Sequence, residues 1–387
     1  MVVFAGLPLR LPFVRTQAAT PTRTSSGKVT TSATASTRER PKPVLSDSWA
    51  GFPHTLDYGV YWFGPGNRFE KHSETPCRYF DNARLNTVIY THGWEANRIN
   101  EGYRETFNYM LNDSRNGVDV DTVDEWVRKG WNVGIFYWDQ FSDELLVLDA
   151  EAKIHSADGG GKGMRWRTQS GFSTVGAPVG KSVIDLFTDA IAESLRGYTG
   201  GLRLAGHSLG SQVALETAKA LTSRVDSGSL PSNFIPLRVA LLDPYFSLKI
   251  PFVNPQAYLP SGAESTAKLA VQTVRTLRTR GVAIEVIKSS PLTQLFGVCD
   301  PNVELNQLCA FVERYPDWIG VTDWQGRHIA AQSIYFYSMS FDPPPCTRNG
   351  SGTGRSASAS STDAEVKALM SLSAQWKTVQ VQGMYAF

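Results

Sequence analysis

A serine hydroxyl attacks an acyl carbonyl well only when a base takes its proton. The residues to find first are therefore a serine on an exposed turn, a histidine and a carboxylate. Gly206-His207-Ser208-Leu209-Gly210 is the one G-x-S-x-G in the 387-residue chain. As a bare string it is weak, but its setting is specific. LRLA before it reads as a strand, and LGSQVALETAKAL after it reads as a helix. A strand turning sharply into a helix puts the central serine at the tip of a strained turn. The flanking glycines remove side chains that would collide there, and the helix N-terminus adds positive potential near the hydroxyl. The plain alternative is an ordinary glycine-rich turn.

The base and acid follow by elimination. Where a serine sits on such an elbow, the chain order is nucleophile, acid, histidine. Of His54, His72, His92, His155, His207 and His328, only His328 lies downstream of Ser208. The aspartates between them are Asp226, Asp243, Asp300, Asp317 and Asp323. Asp243 directly follows the strand-like LRVALL and precedes Pro244. That places its carboxylate at a strand's carboxyl end, where it can hold an imidazole in the needed tautomer. The next strand-like run ends in Lys288-Ser289-Ser290, with no acid at its tip. Asp243 is the better candidate, and Asp323, close to His328 in sequence, is its rival. The developing oxyanion needs two N–H donors. Leu209 supplies one; Trp94, after the strand-like TVIYT and His92-Gly93, supplies the other, because Gly93 allows close backbone approach.

The elements that must position these residues alternate. Strands are predicted over 87–91, 132–138, 202–205, 237–242 and 282–287. Helices are predicted over 121–129, 181–196, 209–221 and 264–280, with another starting near His328. Such alternation argues for an α/β fold, a mostly parallel sheet with helices on both faces. Active sites of such sheets lie outside the carboxyl ends of the strands.

Taken together, His92-Gly93-Trp94, Gly206 to Gly210, Leu242-Asp243-Pro244, and His328 ahead of Tyr335 and Tyr337 resemble the pancreatic lipase family of neutral lipases and phospholipases. The resemblance spans roughly residues 85 to 340. It implies the α/β-hydrolase fold and hydrolysis of lipid esters through an acyl-enzyme. The chain departs from that pattern in two ways. Cys299 and Cys309 could close only a small loop well before His328, and the chain after His328 is too short for the lipid-binding β-sandwich of some members.

The rest of the chain is divided as follows. Residues 1–45 are basic, hydroxyl-rich and poor in acid, which marks a disordered or organelle-targeting segment. Residues 46–345 are expected to form the catalytic domain. Within it, 139–181 is expected to be a flexible insertion near the site. The apolar stretch 291–324 is either a lid exposing apolar surface or packed core. Residues 346–387 read as a Gly/Ser-rich linker and a short helix opened by a Thr362/Glu365 capping box. A net charge of +2 makes no case for nucleic acid, and no run is long and apolar enough to span a bilayer. The four cysteines form no CxxC pair, and no metal or other cofactor is expected. Even cysteine number and sequons at Asn112 and Asn349 point to secretion, whereas the amino terminus points to a plastid or mitochondrion. The expected substrate is an acylglycerol or similar ester, met at a membrane or oil–water interface. Phospholipase A1 or galactolipase activity is the alternative, and a non-catalytic lipid carrier is the alternative of another class.

Overall fold

A computed structural model describes residue 49 and residues 51–72, 77–108, 121–252, 254–260, 262–295, 297, 299–316, 318–340, 345–348, 353–372 and 375–378. The amino-terminal segment 1–45 and both sequons lie outside them. The strands are β1 (Gly59–Gly64), β2 (Arg68–Lys71), β3 (Asn86–Thr91), β4 (Trp131–Tyr137), β5 (Trp166–Thr168), β6 (Gly171–Ser173), β7 (Gly201–His207), β8 (Arg238–Leu242), β9 (Ala283–Lys288), β10 (Ala310–Glu313), β11 (Pro345–Arg348), β12 (Thr353–Arg355) and β13 (Gln375–Thr378). The helices are α1 (Arg98–Glu101), α2 (Asp124–Arg128), α3 (Asp139–Ser142), α4 (Val147–His155), α5 (Val183–Ser194), α6 (Gly210–Asp226), α7 (Thr266–Thr279), α8 (Val303–Leu308), α9 (Trp324–Ile329), α10 (Ala331–Tyr337) and α11 (Asp363–Ser371).

Eleven strands form one sheet in the order β12-β11-β13-β10-β9-β8-β7-β3-β4-β1-β2. From β4 through β13 every pairing is parallel; the β1–β2 and β11–β12 hairpins join at the edges antiparallel. Every residue of β4, β8 and β9 is buried, the mark of parallel strands covered on both faces. Alternate side chains go to opposite layers. Leu202, Leu204, Val239 and Leu241 pack with Leu186, Val213 and Val274 of α5, α6 and α7. Ala205, Ala240 and Leu242 pack with Trp126 of α2 and with Tyr335 and Phe336 of α10.

From β3 the chain moves to β4 on one side, then returns to β7 on the other. The strand order therefore reverses between β3 and β7, which opens a crevice at their carboxyl ends. His92 and Ser208 follow those two ends directly.

Four expectations change. The sheet continues past β9, because Ala310–Glu313, within the stretch left open between lid and packed core, pairs with β9 as β10. The middle of 291–324 is thus core: Leu305 and Phe311 are buried. The helix near His328 is two short helices, α9 and α10. The insertion 139–181 is held in place rather than loose: Glu144, buried in it, pairs with Lys153 at 2.7 Å and Arg165 at 2.6 Å. Finally, the described part of 346–387 is more than a linker. Buried Arg203, Arg238 and Arg314 donate to the carbonyls of Ala359, Ser358 and Ala357. A buried guanidinium needs acceptors, and a backbone with small side chains can supply them closely. The Thr362/Glu365 capping box starts α11, which lays Val366 and Met370 against the sheet. Cys299 and Cys309 are both buried free thiols, so they are not bonded to each other. Among the described residues, no helix is long and apolar enough to cross a membrane.

Candidate active site

The elbow is built by exclusion of side chains. A Cβ on Gly206 would lie 2.0 Å from the Gly210 carbonyl oxygen, and one on Gly210 would lie 2.4 Å from the carbonyls of Thr91 and His92. Both positions therefore admit glycine alone. Ser208 between them is left-handed at φ 55, a strained conformation for a residue with a Cβ. Its N–H donates to Leu242 O at 3.0 Å, and its carbonyl accepts from Tyr245 N–H at 3.3 Å. These bonds tie the elbow to the end of β8.

Asp243 leaves that same strand end, also left-handed, at φ 44. Its Oδ2 accepts from His328 Nδ1 at 2.8 Å and from Ser290 Oγ at 2.5 Å. Ser289 Oγ reaches the same oxygen at 3.3 Å, and Thr293 Oγ1 donates to Oδ1 at 2.6 Å. Burial alone raises a carboxylate's pKa. Here the His328 contact, Lys288 and Ser290 outweigh it and hold Asp243 below its usual value. The rival Asp323 is spent elsewhere: it caps α9, accepting from Gly326 N–H at 2.8 Å.

His207 joins this pair to the elbow. Its Nε2 donates to His328 O at 3.0 Å, and the two rings lie 4.6 Å apart. Burial and the neighbouring His328 push the His207 pKa down to about 3, so the ring stays neutral. Among the described residues the Ser208 hydroxyl makes no hydrogen bond, His328 included. Contacts between nucleophile and base are often long without substrate and tighten in the complex.

The loop after β3, the candidate oxyanion loop, is oriented by His92. This buried ring stacks on Trp138, and its Nε2 accepts from Trp138 N–H at 3.2 Å. Burial lowers its pKa, so the ring is neutral and its proton sits on Nδ1, 3.1 Å from Gly93 O. A trans peptide points its N–H away from its C=O. Drawing the Gly93 carbonyl toward His92 thus turns the Trp94 N–H the other way. Among the described residues neither the Trp94 nor the Leu209 N–H has an acceptor. A Cβ on Gly93 would sit 2.7 Å from Ser208 Cβ and 3.3 Å from Ser208 Oγ, so this loop lies against the elbow. Gly93→Ala should accordingly lower ester turnover by about 10²-fold or more, the usual effect of disturbing one oxyanion donor. Turnover close to wild type, with the circular dichroism unchanged, would show that this approach is not needed.

His92, Glu95 and Asp139 place one ligand atom each within 4.8 Å of one another. They do not suit a metal. Both His92 nitrogens are already engaged, and Asp139 pairs with buried Arg104 at 3.1 Å. Burial and the nearby carboxylates raise the Glu95 pKa well above its usual value, which favours the neutral acid.

Of the five residues singled out from the sequence, Asp243 and His328 are hydrogen-bonded to each other, His328 is tied through His207 to the elbow that carries Ser208 and Leu209, and Trp94 follows the Gly93 that lies against Ser208. Sequence reasoning passed over His207, Lys288, Ser290 and Thr293. The first hid inside the elbow motif, and the others lay at a strand end set aside for lacking an acid. A parallel sheet with helices on both faces and a strand–serine–helix elbow at its switch point is the α/β-hydrolase fold.

No family model matches the chain, and no curated protein is similar to it. Similar solved structures include an esterase of Pyrococcus furiosus, 14% identical over 61% of this chain and 74% of that one, with a TM-score of 0.29. A Xanthomonas campestris serine hydrolase described as lacking a lid is 15% identical over 71% and 86%, with a TM-score of 0.28. A metagenome-derived lipolytic enzyme is 12% identical over 53% and 72%, with a TM-score of 0.27. The fold follows from this chain's own strand order and elbow.

Proposed function

We propose that the chain is a serine carboxylic ester hydrolase acting through an acyl-enzyme. The observation that carries this reading is the His328 Nδ1–Asp243 Oδ2 bond of 2.8 Å, held against the serine elbow by His207. In this mechanism His328 takes the Ser208 proton as Oγ attacks the ester carbonyl. Asp243 keeps the imidazole proton on Nδ1 and stabilises the imidazolium. The N–H groups of Trp94 and Leu209 hold the oxyanion. The imidazolium protonates the leaving alcohol, and His328 then activates water to release the acid. No step needs a metal or organic cofactor.

The finer reading is a lipase acting on acylglycerols, in keeping with the motif resemblance to neutral lipases. Apolar side chains exposed near the crevice support it. Trp94 is 36% exposed, and its Nε1 bonds the Glu144 carbonyl, which brings Leu145, 65% exposed, alongside. Trp324, one turn before His328, is 40% exposed. Such a rim suits an acyl chain better than a charged substrate.

The test is hydrolysis of triacylglycerol, phospholipid, galactolipid and a soluble short-chain ester by the purified chain. Fastest turnover of triacylglycerol supports the lipase reading. Preference for phospholipid or galactolipid replaces it with a head-group-selective hydrolase. Lipid binding without turnover of any ester would make the chain a carrier and overturn the enzyme reading.

A further inference from the structure

Lys288 is the last residue of β9, beside the strand that delivers Asp243. Its ammonium is buried, and its three hydrogen bonds all go to neutral oxygens. They are Thr293 Oγ1 at 2.7 Å, Thr293 O at 3.3 Å and Pro244 O at 3.4 Å. The Thr293 hydroxyl passes its own proton to Asp243 Oδ1 at 2.6 Å. A buried lysine is costly and is usually paired directly with a carboxylate. Here it meets the acid through a hydroxyl instead, on the side of the carboxylate away from His328.

We infer that Lys288, acting through Thr293, is a positioning residue for the Asp243–His328 pair. It fixes the carboxylate so that Oδ2 faces the imidazole, and its charge opposes protonation of that imidazole. The inference rests on the ester-hydrolase reading for its kinetic consequence, though not for its structural one.

The geometry explains both parts. The ammonium has only donors and the carboxylate only acceptors, so the Thr293 hydroxyl between them accepts from Lys288 and donates to Asp243. With Oδ1 anchored, Oδ2 is left for His328 and the Ser289 and Ser290 hydroxyls. Asp243 and Lys288 come from the ends of β8 and β9, and neutral His207 comes from β7. Glu313 and Tyr315 lie at and just beyond the end of β10, and Arg327 shares α9. Lys288 itself faces Asp243, Cys299 and Glu313, and burial lowers its pKa against their pull. A cation behind a carboxylate weakens the pull of that carboxylate on a proton at its other side, and removing the cation strengthens it.

Three variants test this: Lys288→Met, which keeps the volume without the charge; Thr293→Val, which removes the bridging hydroxyl; and Thr293→Ser, which restores it. The first readout is the pH titration of the His328 ring by NMR, which requires no activity. Lys288→Met should raise its midpoint by about one pH unit, the effect of one partly screened charge at this range. The acid limb of kcat/KM on a soluble ester should move up with it. Thr293→Val should lower kcat about tenfold with little change in KM, and Thr293→Ser should recover most of it. An unmoved His328 titration in folded Lys288→Met overturns the inference. If that variant does not fold, unchanged kcat and His328 titration in Thr293→Val overturn it instead. If wild type turns over no ester, the enzyme reading falls, while the NMR titrations still decide the role of Lys288.

Discussion

Ser208→Ala should lower kcat on the best ester by at least about 10⁴-fold, with the fold intact. Losing the nucleophile removes the acyl-enzyme route altogether, and what persists comes from the oxyanion donors and substrate binding. In the proposed mechanism those donors are the backbone N–H groups of Trp94 and Leu209, which the substitution leaves in place. The Ser208 hydroxyl makes no hydrogen bond among the described residues, so its removal breaks nothing structural. The strained φ of 55 is equally required of alanine, so stability should change by less than about 1 kcal/mol. A fluorophosphonate should label the wild type covalently and leave Ser208→Ala unlabelled. Retained labelling in the variant would place the nucleophile on another residue.

Asp243→Asn should cost about 10⁴-fold in kcat for a different reason. Both carboxylate oxygens accept: Oδ2 from His328 and Ser290, Oδ1 from Thr293. An asparagine must turn its NH₂ toward one of these sets. Toward His328, it forces the proton onto Nε2, where the base must be free to accept from serine. Toward Thr293, it takes away the acceptor of that hydroxyl's proton and sets a second donor against an oxygen that already accepts from Lys288. Stability carries a second signature. Because the Asp243 pKa is held below its usual value in the folded chain, it contributes stability above about pH 4 that is lost as pH falls. The melting-temperature gap between wild type and Asp243→Asn should therefore be wide at pH 7 and narrow toward pH 3. Equal gaps at both pH values would mean that the ionised carboxylate does not stabilise the fold.

How much of this was legible beforehand depends on the range of the forces involved. The strands 87–91, 237–242 and 282–287 stand within a residue of β3, β8 and β9, since continuous β-branched and aliphatic runs declare buried parallel strands on their own. The strand β10 was not legible. Its four residues, AFVE, carry too little periodicity to separate them from the apolar stretch around them. Segment 353–361 misled because small polar residues signal flexibility unless something buried needs their carbonyls. That need came from Arg203, Arg238 and Arg314, on strands distant in sequence.

By itself the sequence determined the elbow and the order of its partners. Gly206 is needed because the Gly210 backbone, four residues on, leaves no room for a Cβ, and one histidine alone follows the serine. Those are local sterics and simple counting, whereas Gly210 is held to glycine by the Thr91 and His92 carbonyls, which only the fold brings there. Only the tertiary structure decided between Asp243 and Asp323, fixed the His92 ring two residues before Trp94 against Trp138, and set Thr293 and Lys288 behind the acid. The bonds of Asp243 to His328 and to Thr293, and of His92 to Trp138, join residues 85, 50 and 46 positions apart. Their partners meet only when the parallel strands come into register, and no spacing along the chain encodes that meeting.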